Sequence, residues 1–229
     1  GRRSAVRQGT GISVREWRYD QSALVVNLAH TAPHNDTSTE FHTETGPLTF
    51  VPLTGNRSSL VWVDRPDAVA RRLDVDEQAL AAEIEARSAS LLGAITLDGP
   101  RQAFPLSGMT ADRFATARTV LVGEAAHVFP PIGAQGLNLG YRDVTALGAM
   151  LPRVGRDPGA ADRLAAYDRS RRGDVISRTA AVDALNRTLL TGFLPVQAAR
   201  GLGLFLLDRV RPLRQAMMRQ GIMGASQSR

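Results

Sequence analysis

From Glu16 to Val63 apolar and polar residues alternate in short runs: Trp17-Arg18-Tyr19, Ser22 to Leu28, Leu48 to Leu53 and Ser58 to Val63. Alternation with a period of two predicts strands with one face in a core and the other in water. The runs are parted by Pro33-His34-Asn35-Asp36 and Thr54-Gly55-Asn56, residues that favour turns, so the segment reads as an antiparallel sheet. The period then changes. Between Asp76 and Leu92 the apolar positions Leu80, Ile84 and Leu91, with intervening alanines, fall on one helical face, while Glu83, Glu85 and Arg87 fall on the other. Asp74 or Asp76 offers the N-cap. Ala94 to Leu97 and Gln102 to Leu106 read as a further pair of strands around Asp98-Gly99-Pro100. Beyond Asp143 the pattern is mostly helical, with Ala160 to Leu190 forming one helix or two joined near Gly173.

The run with the most information lies between these regions, Thr119 to Asp143, TVLVGEAAHVFPPIGAQGLNLGYRD. Thr119 to Val122 is short, apolar and β-branched, which predicts a strand buried on both faces. Gly123 ends it and leaves Glu124 at its carboxyl end, where open α/β sheets place ligand-contacting groups. A carboxylate there can accept hydrogen bonds from sugar or polyol hydroxyls. Pro130, Pro131, Gly133 and Gly136 delay the next helix until Leu137, after which Leu139, Val144, Leu147 and Leu151 recur at helical spacing. The free N–H groups and positive dipole end of that helix, near Gly136, Leu137 and Asn138, favour a partial negative charge. From loop composition alone, a plain connection explains the Gly/Pro segment as well as a ligand loop does.

The full string GEAAHVFPPIGAQGLNLGYRD resembles the second FAD-binding motif of the flavoprotein aromatic hydroxylases, the para-hydroxybenzoate hydroxylase superfamily. Within it, the chain is most similar to the ubiquinone-biosynthesis hydroxylases, the UbiH family. The resemblance implies that Gly123 and Glu124 bind the cofactor, with Glu124, standing where the superfamily usually has Asp, at the ribityl chain of FAD. It implies that Pro131 and Gly133 lie beside the isoalloxazine ring, and that the N–H groups of Leu137 and Asn138, after Gly136, face the pyrimidine carbonyl. His127 reads as a hydrogen-bonded packing residue rather than a base. Gly46-Pro47-Leu48 resembles a segment on the substrate side of the ring, although a strand beginning after a Gly-Pro turn accounts for it equally well.

Gly1-Arg2-Arg3-Ser4-Ala5-Val6-Arg7 resembles the tail of the same family's middle motif, in which an Asp-Gly pair is followed by Ser and Arg. No strand followed by GxGxxG occurs: Gly9-Thr10-Gly11 lacks the third glycine and Gly201-Leu202-Gly203 runs into Leu, Phe and Leu. The chain therefore reads as the carboxyl-terminal part of a longer enzyme, an α+β portion of an α/β FAD-dependent monooxygenase. The expected division is 1–10 as a remnant of the FAD domain, 11–108 as a sheet-rich substrate domain, 109–190 as the carboxyl-terminal part of the FAD domain, and 191–229 as terminal helices.

Composition narrows the remaining choices. With 229 residues, 43% hydrophobic and 22% charged, the chain can bury a substantial core. It has no cysteine, which excludes disulfides and thiolate metal sites and suits a reducing cytoplasm. The net charge of +6 rests on arginine alone, since no lysine occurs. These arginines are spread along the chain without aromatic platforms, which argues against nucleic acid. Neither a secretory segment nor a spanning helix is visible. Phe193 to Met223 mixes Leu202, Leu204, Phe205, Leu206, Leu207, Met217 and Met218 with Arg200, Arg209, Arg211 and Arg214. Terminal helices covering a core and a basic amphipathic surface for a membrane or partner protein both fit it.

There is no Ser/His/Asp set, no paired carboxylates and no metal-ligand cluster to nominate, as expected where a cofactor carries the chemistry. The resemblance implies an enzyme that uses FAD, NAD(P)H and O₂ to hydroxylate a prenylated phenol of ubiquinone synthesis, in the cytoplasm and at the inner membrane or in a biosynthetic complex. Two alternatives stand beside it: a hydroxylase or epoxidase of another aromatic or polyketide substrate, and a non-catalytic assembly subunit.

Overall fold

The structure is a computed structural model that describes residues 1–129, 135–151 and 157–190, together with Arg209, Val210, Pro212 and Gln215. Along the chain run α1 (Ala5–Gly9), β1 (Val14–His30), β2 (Thr39–His42), β3 (Pro47–Leu53), β4 (Arg57–Asp64), α2 (Pro66–Asp74) and α3 (Glu77–Arg87). They are followed by β5 (Ile95–Leu97), β6 (Gln102–Ala111), β7 (Ala115–Thr116), β8 (Thr119–Val120), β9 (His127–Val128), α4 (Gln135–Met150) and α5 (Ala161–Leu190). The main sheet has the order β2-β3-β4-β1-β6-β9, with β5 also paired to β1. The chain divides into two units, Arg18–Leu106 and Gly1–Trp17 with Ser107–Arg229.

In the unit Arg18–Leu106 the alternating pattern does what it predicts. Leu24, Val26 and Leu28 point to one face of β1, and the antiparallel register sets Leu24 opposite Trp62 and Val26 opposite Leu60. Leu48 and Phe50 of β3 continue that face, and Val69, Leu80 and Ile84 of the two helices close over it. The predicted runs at Trp17 and Ser22 belong to one 17-residue strand. Asp76 is the N-cap of α3, its carboxylate accepting from Ala79 N–H at 2.8 Å, while Asp74 ends α2, a helix the pattern did not announce. The helix α3 stops at Arg87 and not at Leu92. The Ser88 hydroxyl donates to the Ile84 carbonyl at 2.8 Å, and Ala89 and Ser90 take φ of 50° and 53°, which turns the chain away. Leu91 consequently lies 48% exposed, whereas Leu92 is buried.

One cation is buried in this core. Arg72 donates to Asp64 at 2.7 Å and to Glu83 at 2.9 Å, and its guanidinium lies 3.6 Å from the Trp62 ring centroid. Burial works against each charge, but the paired hydrogen bonds hold Asp64 below the usual carboxylate range and Arg72 above its ordinary value. At the entry to β3, Gly46 has φ +153°. A Cβ there would stand 2.6 Å from the Val63 carbonyl oxygen, so only glycine fits.

In the other unit β6 pairs with β9 through Met109 and Val128. Ala111, Phe114, Leu121, Ala126, Leu139, Leu164, Tyr167 and Val175 form its core. Here the sequence reading needs two corrections. Thr119 to Val122 is not a strand buried on both faces: β8 has two half-buried residues, paired antiparallel with β7. The reason is the tight turn at Arg118, with φ of 63°, which spends the apolar run on a hairpin and sends only Leu121 into the core. The helix expected from Leu137 begins at Gln135, with Gly136 inside its first turn, where a residue's N–H needs no partner within the helix. Of the four apolar positions at helical spacing, Leu139 is buried and Leu147 packs against the core, whereas Val144 and Leu151 are 57% and 49% exposed. Of the region expected to be helical from Ala160, Ala161–Leu190 is a single helix that runs through Gly173.

Candidate functional site

The site is built on the turn between β8 and β9. Leu121 anchors it in the core, and its carbonyl accepts the Tyr167 hydroxyl at 3.0 Å. Val122 is extended, and Gly123 then takes φ +59°, a left-handed conformation that glycine adopts without strain. The chain closes into a tight helical turn over Gly123–Ala125, with Ala126 N–H donating to Gly123 O at 2.8 Å. Glu124 sits on the crest of this turn, exposed, with no hydrogen bond or ion pair among the described residues.

Two buried side chains hold the turn from separate sides. Asp143 of α4, fully buried, accepts from Gly123 N–H at 2.8 Å and from His127 Nε2–H at 2.7 Å on the same oxygen. Its second oxygen accepts Arg171 Nε–H at 2.7 Å. Arg171 of α5 reaches on to Asp174 at 2.8 Å. On the other side Arg7, 5% exposed, donates to Ala125 O at 2.9 Å and to Arg2 O at 2.8 Å. Arg7 is delivered by α1, whose N-cap Ser4 accepts from Arg7 N–H at 3.2 Å. The chain start thus comes to the turn: a Cβ built on Gly1 would lie 3.7 Å from Glu124 Oε2.

Electrostatics follow from these contacts. Burial pushes the Asp143 carboxyl up, but the hydrogen bonds from His127, Gly123 and Arg171 outweigh it and hold the group below the usual carboxylate range. Burial and the Asp143 charge both push the Tyr167 phenol up, so it stays neutral.

Of the residues expected at a cofactor, Gly123 and Glu124 form the turn, and Gly136, Leu137 and Asn138 lie in the opening turn of α4, all three exposed. The helix approaches the turn through Gly140, where a Cβ would be 3.9 Å from Gly123 Cα. Pro131 and Gly133 lie outside the described residues. His127 is a buried hydrogen-bonded residue 6.0 Å from the Phe114 ring and stacked with it. Sequence reasoning missed the roles of Arg7, Asp143 and Arg171. Arg7 and Asp143 stand inside the quoted motifs, where their charge could have flagged them, but Arg171 carries no local signal.

The arrangement presents one unpartnered carboxylate on a rigid crest and the N-terminal turn of a helix beside it. The first suits an acceptor for hydroxyl groups and the second a partly negative edge. Among the described residues outside α4's own backbone, nothing lies within 4 Å of a Cβ placed on Gly136. These residues fit a flavin dinucleotide whose remaining contacts come from other parts of a protein.

Comparison with known proteins agrees. The chain belongs to the FAD-binding domain family, whose model matches residues 1–181, and its α+β architecture is that of FAD-dependent monooxygenases. It is 39% identical over 97% of its length to the ubiquinone hydroxylase UbiL of Rhodospirillum rubrum, of which it covers 52%. It is 32% identical over 97% of its length to the 3-demethoxyubiquinol 3-hydroxylase of Escherichia coli, of which it covers 57%. The chain therefore spans about half the length of these relatives. Among solved structures, p-nitrophenol 4-monooxygenase PnpA from Pseudomonas putida matches with a TM-score of 0.71 at 21% identity, over 95% of this chain and 56% of that one.

Proposed function

We propose that the protein carrying this chain is an FAD-dependent monooxygenase that hydroxylates the aromatic ring of a prenylated phenol in ubiquinone biosynthesis, with NAD(P)H and O₂ as co-substrates. The observation that carries the flavin part is the Glu124 turn, clamped by Asp143 and Arg7 beside the start of α4. The substrate class rests on the ubiquinone-pathway hydroxylases among the relatives.

When bound, FAD supplies the redox and oxygen-transfer chemistry. The residues of this chain bind and orient it. Glu124 would accept hydrogen bonds from the ribityl hydroxyls, and Gly123 would keep the backbone clear of the cofactor. Leu137 and Asn138, after Gly136, would present N–H groups to the electron-rich pyrimidine edge, and the family resemblance assigns Pro131 and Gly133, which lie outside the described residues, to the ring. In this reading Arg18–Leu106 belongs to the substrate-binding part. Among the described residues no helix is long and apolar enough to cross a membrane, and a prenylated substrate would be met at the inner-membrane surface from the cytoplasmic side. The test is the complete gene product assayed with a prenylated phenol: NAD(P)H and O₂ are consumed, a hydroxylated ring forms, and quinone synthesis returns in a hydroxylase-deficient bacterium. Failure to form the hydroxylated product from any prenylated phenol would refute the substrate assignment.

A further inference from the structure

We propose that Asp143 is a positioning residue for the flavin, acting through the Gly123–Ala125 turn, with Arg171 as the group that fixes Asp143. The inference rests on the flavin reading above and extends it to two residues that this reading does not place against the flavin.

The geometry is specific. Asp143 has two carboxylate oxygens and three donors: Gly123 N–H and His127 Nε2–H share Oδ2 at 2.8 and 2.7 Å, and Arg171 Nε–H takes Oδ1 at 2.7 Å. Gly123 and His127 are the two ends of the segment that bears Glu124, so one carboxylate oxygen spans that segment and sets its shape. All three side chains are buried, Asp143 at 0%, His127 at 2% and Arg171 at 5% exposure. Leu139 beside them on α4 is also buried, whereas Leu137 and Asn138 of the same helix face outward. Any rotation of α4 that moved Asp143 would move those N–H groups as well. One carboxylate thus ties together the two elements that meet a flavin.

A stability role does not account for this cluster. Buried ion groups seldom outperform a well-packed apolar core of the same volume. This one also leaves Arg171 Nη2 buried with no hydrogen-bond partner among the described residues, a defect that native interiors avoid unless something else fixes the side chain. Here Asp143 fixes Nε and Asp174 fixes Nη1, which leaves Nη2 no freedom to seek an acceptor. The cluster makes sense as a geometric constraint, and what it constrains is the crest carrying Glu124.

The test uses the complete gene product and four variants: Asp143→Asn, Arg171→Lys, Glu124→Gln, and Glu124→Gln combined with Asp143→Asn. Asparagine keeps the shape of Asp143 but replaces one acceptor by a donor, so at least one of the three hydrogen bonds must fail. The FAD dissociation constant is measured at a temperature where each variant is folded by circular dichroism, and the absorption spectrum of the bound flavin is recorded. Asp143→Asn is expected to weaken FAD by about 10- to 100-fold, the scale of losing one charge-assisted hydrogen bond, and to shift the bound spectrum. The double variant should bind little worse than the weaker single one, because both lesions act through one contact. If Asp143→Asn does not fold, Arg171→Lys combined with Glu124→Gln completes the same cycle. A merely structural cluster would lower the melting temperature yet leave the affinity of folded protein and the spectrum unchanged, or its effect would multiply with that of Glu124→Gln; either result overturns the proposal while wild-type FAD binding keeps the flavin reading intact. A wild type that binds no FAD overturns both.

Discussion

At the residue scale, charged side chains tie elements of the described structure together, and they can be tested by substitution. Glu124 is exposed and unpartnered among the described residues, so its removal should leave the fold unchanged. Glu124→Gln is expected to shift the melting temperature little while weakening FAD in the complete gene product, and parallel calorimetry and thermal unfolding check this. Arg72 behaves in the opposite way. Its loss leaves Asp64, 6% exposed, without its ion-pair partner, and breaking a buried pair by removing one charge costs about 3–5 kcal/mol. Arg72→Ala should therefore unfold at far lower denaturant than wild type, with flavin contacts untouched. Asp143 and Asp174 both have carboxyl pKa values held below the ordinary range by their hydrogen bonds, against the cost of burial. In the window between the folded and unfolded values the unfolded chain binds more protons, so stability rises with pH. Their contribution is complete above the unfolded carboxylate value near pH ~4 and is lost as pH falls through the folded values. Asp143→Asn should flatten this acid limb in a pH series of unfolding midpoints. Glu124 was legible because a lone carboxylate after a strand and glycine has few structural uses. Arg171 was not, since it meets Asp143 from 28 residues away and nothing in the sequence marks one arginine of a solvated-looking helix as buried.

At the element scale the sheet was legible and the flavin segment only partly so. β1, β3 and β4 each have one face in a core and one outside, and that asymmetry imprints a period of two on Leu24, Val26 and Leu28, on Leu48 and Phe50, and on Leu60 and Trp62. In α4 the same logic holds only in part. Leu139 is buried and Leu147 packs against the core, but the buried side also holds Asp143, while Val144 and Leu151 are exposed. A helix that buries an acid on its inner face announces that face only incompletely by hydrophobicity. β8 misleads for a related reason: a positive-φ turn at Arg118 consumes an apolar run that would otherwise pass for a central strand. Gly46 offers a test of how the sheet is entered. Gly46→Ala would force a Cβ to 2.6 Å from the Val63 carbonyl oxygen in a left-handed backbone, and should destabilise the protein by more than about 1 kcal/mol. An alanine variant with an unchanged chemical-denaturation midpoint would show that the turn is not strained as described.

At the scale of the whole molecule, the proposed flavin reading assigns this chain a carboxylate crest and a helix start that would meet only part of the cofactor, and the chain spans about half the length of the ubiquinone-pathway hydroxylases it resembles. Residues 1–229 alone should retain FAD weakly or not at all through dialysis, since the crest and helix address only part of the dinucleotide and binding must offset the lost translational freedom of the whole ligand. The family was legible in one 21-residue string, and Arg7 and Asp143, inside the quoted motifs, turn out to clamp the turn it describes. The measurement that tests the central claim most directly is flavin content and affinity of the complete gene product, followed by titration with a prenylated phenol under NAD(P)H and O₂. The account predicts a yellow protein with one FAD per chain, weakened by Glu124→Gln, whose NAD(P)H consumption rises with the phenol and yields a hydroxylated ring. A folded protein that neither holds nor takes up FAD would contradict it.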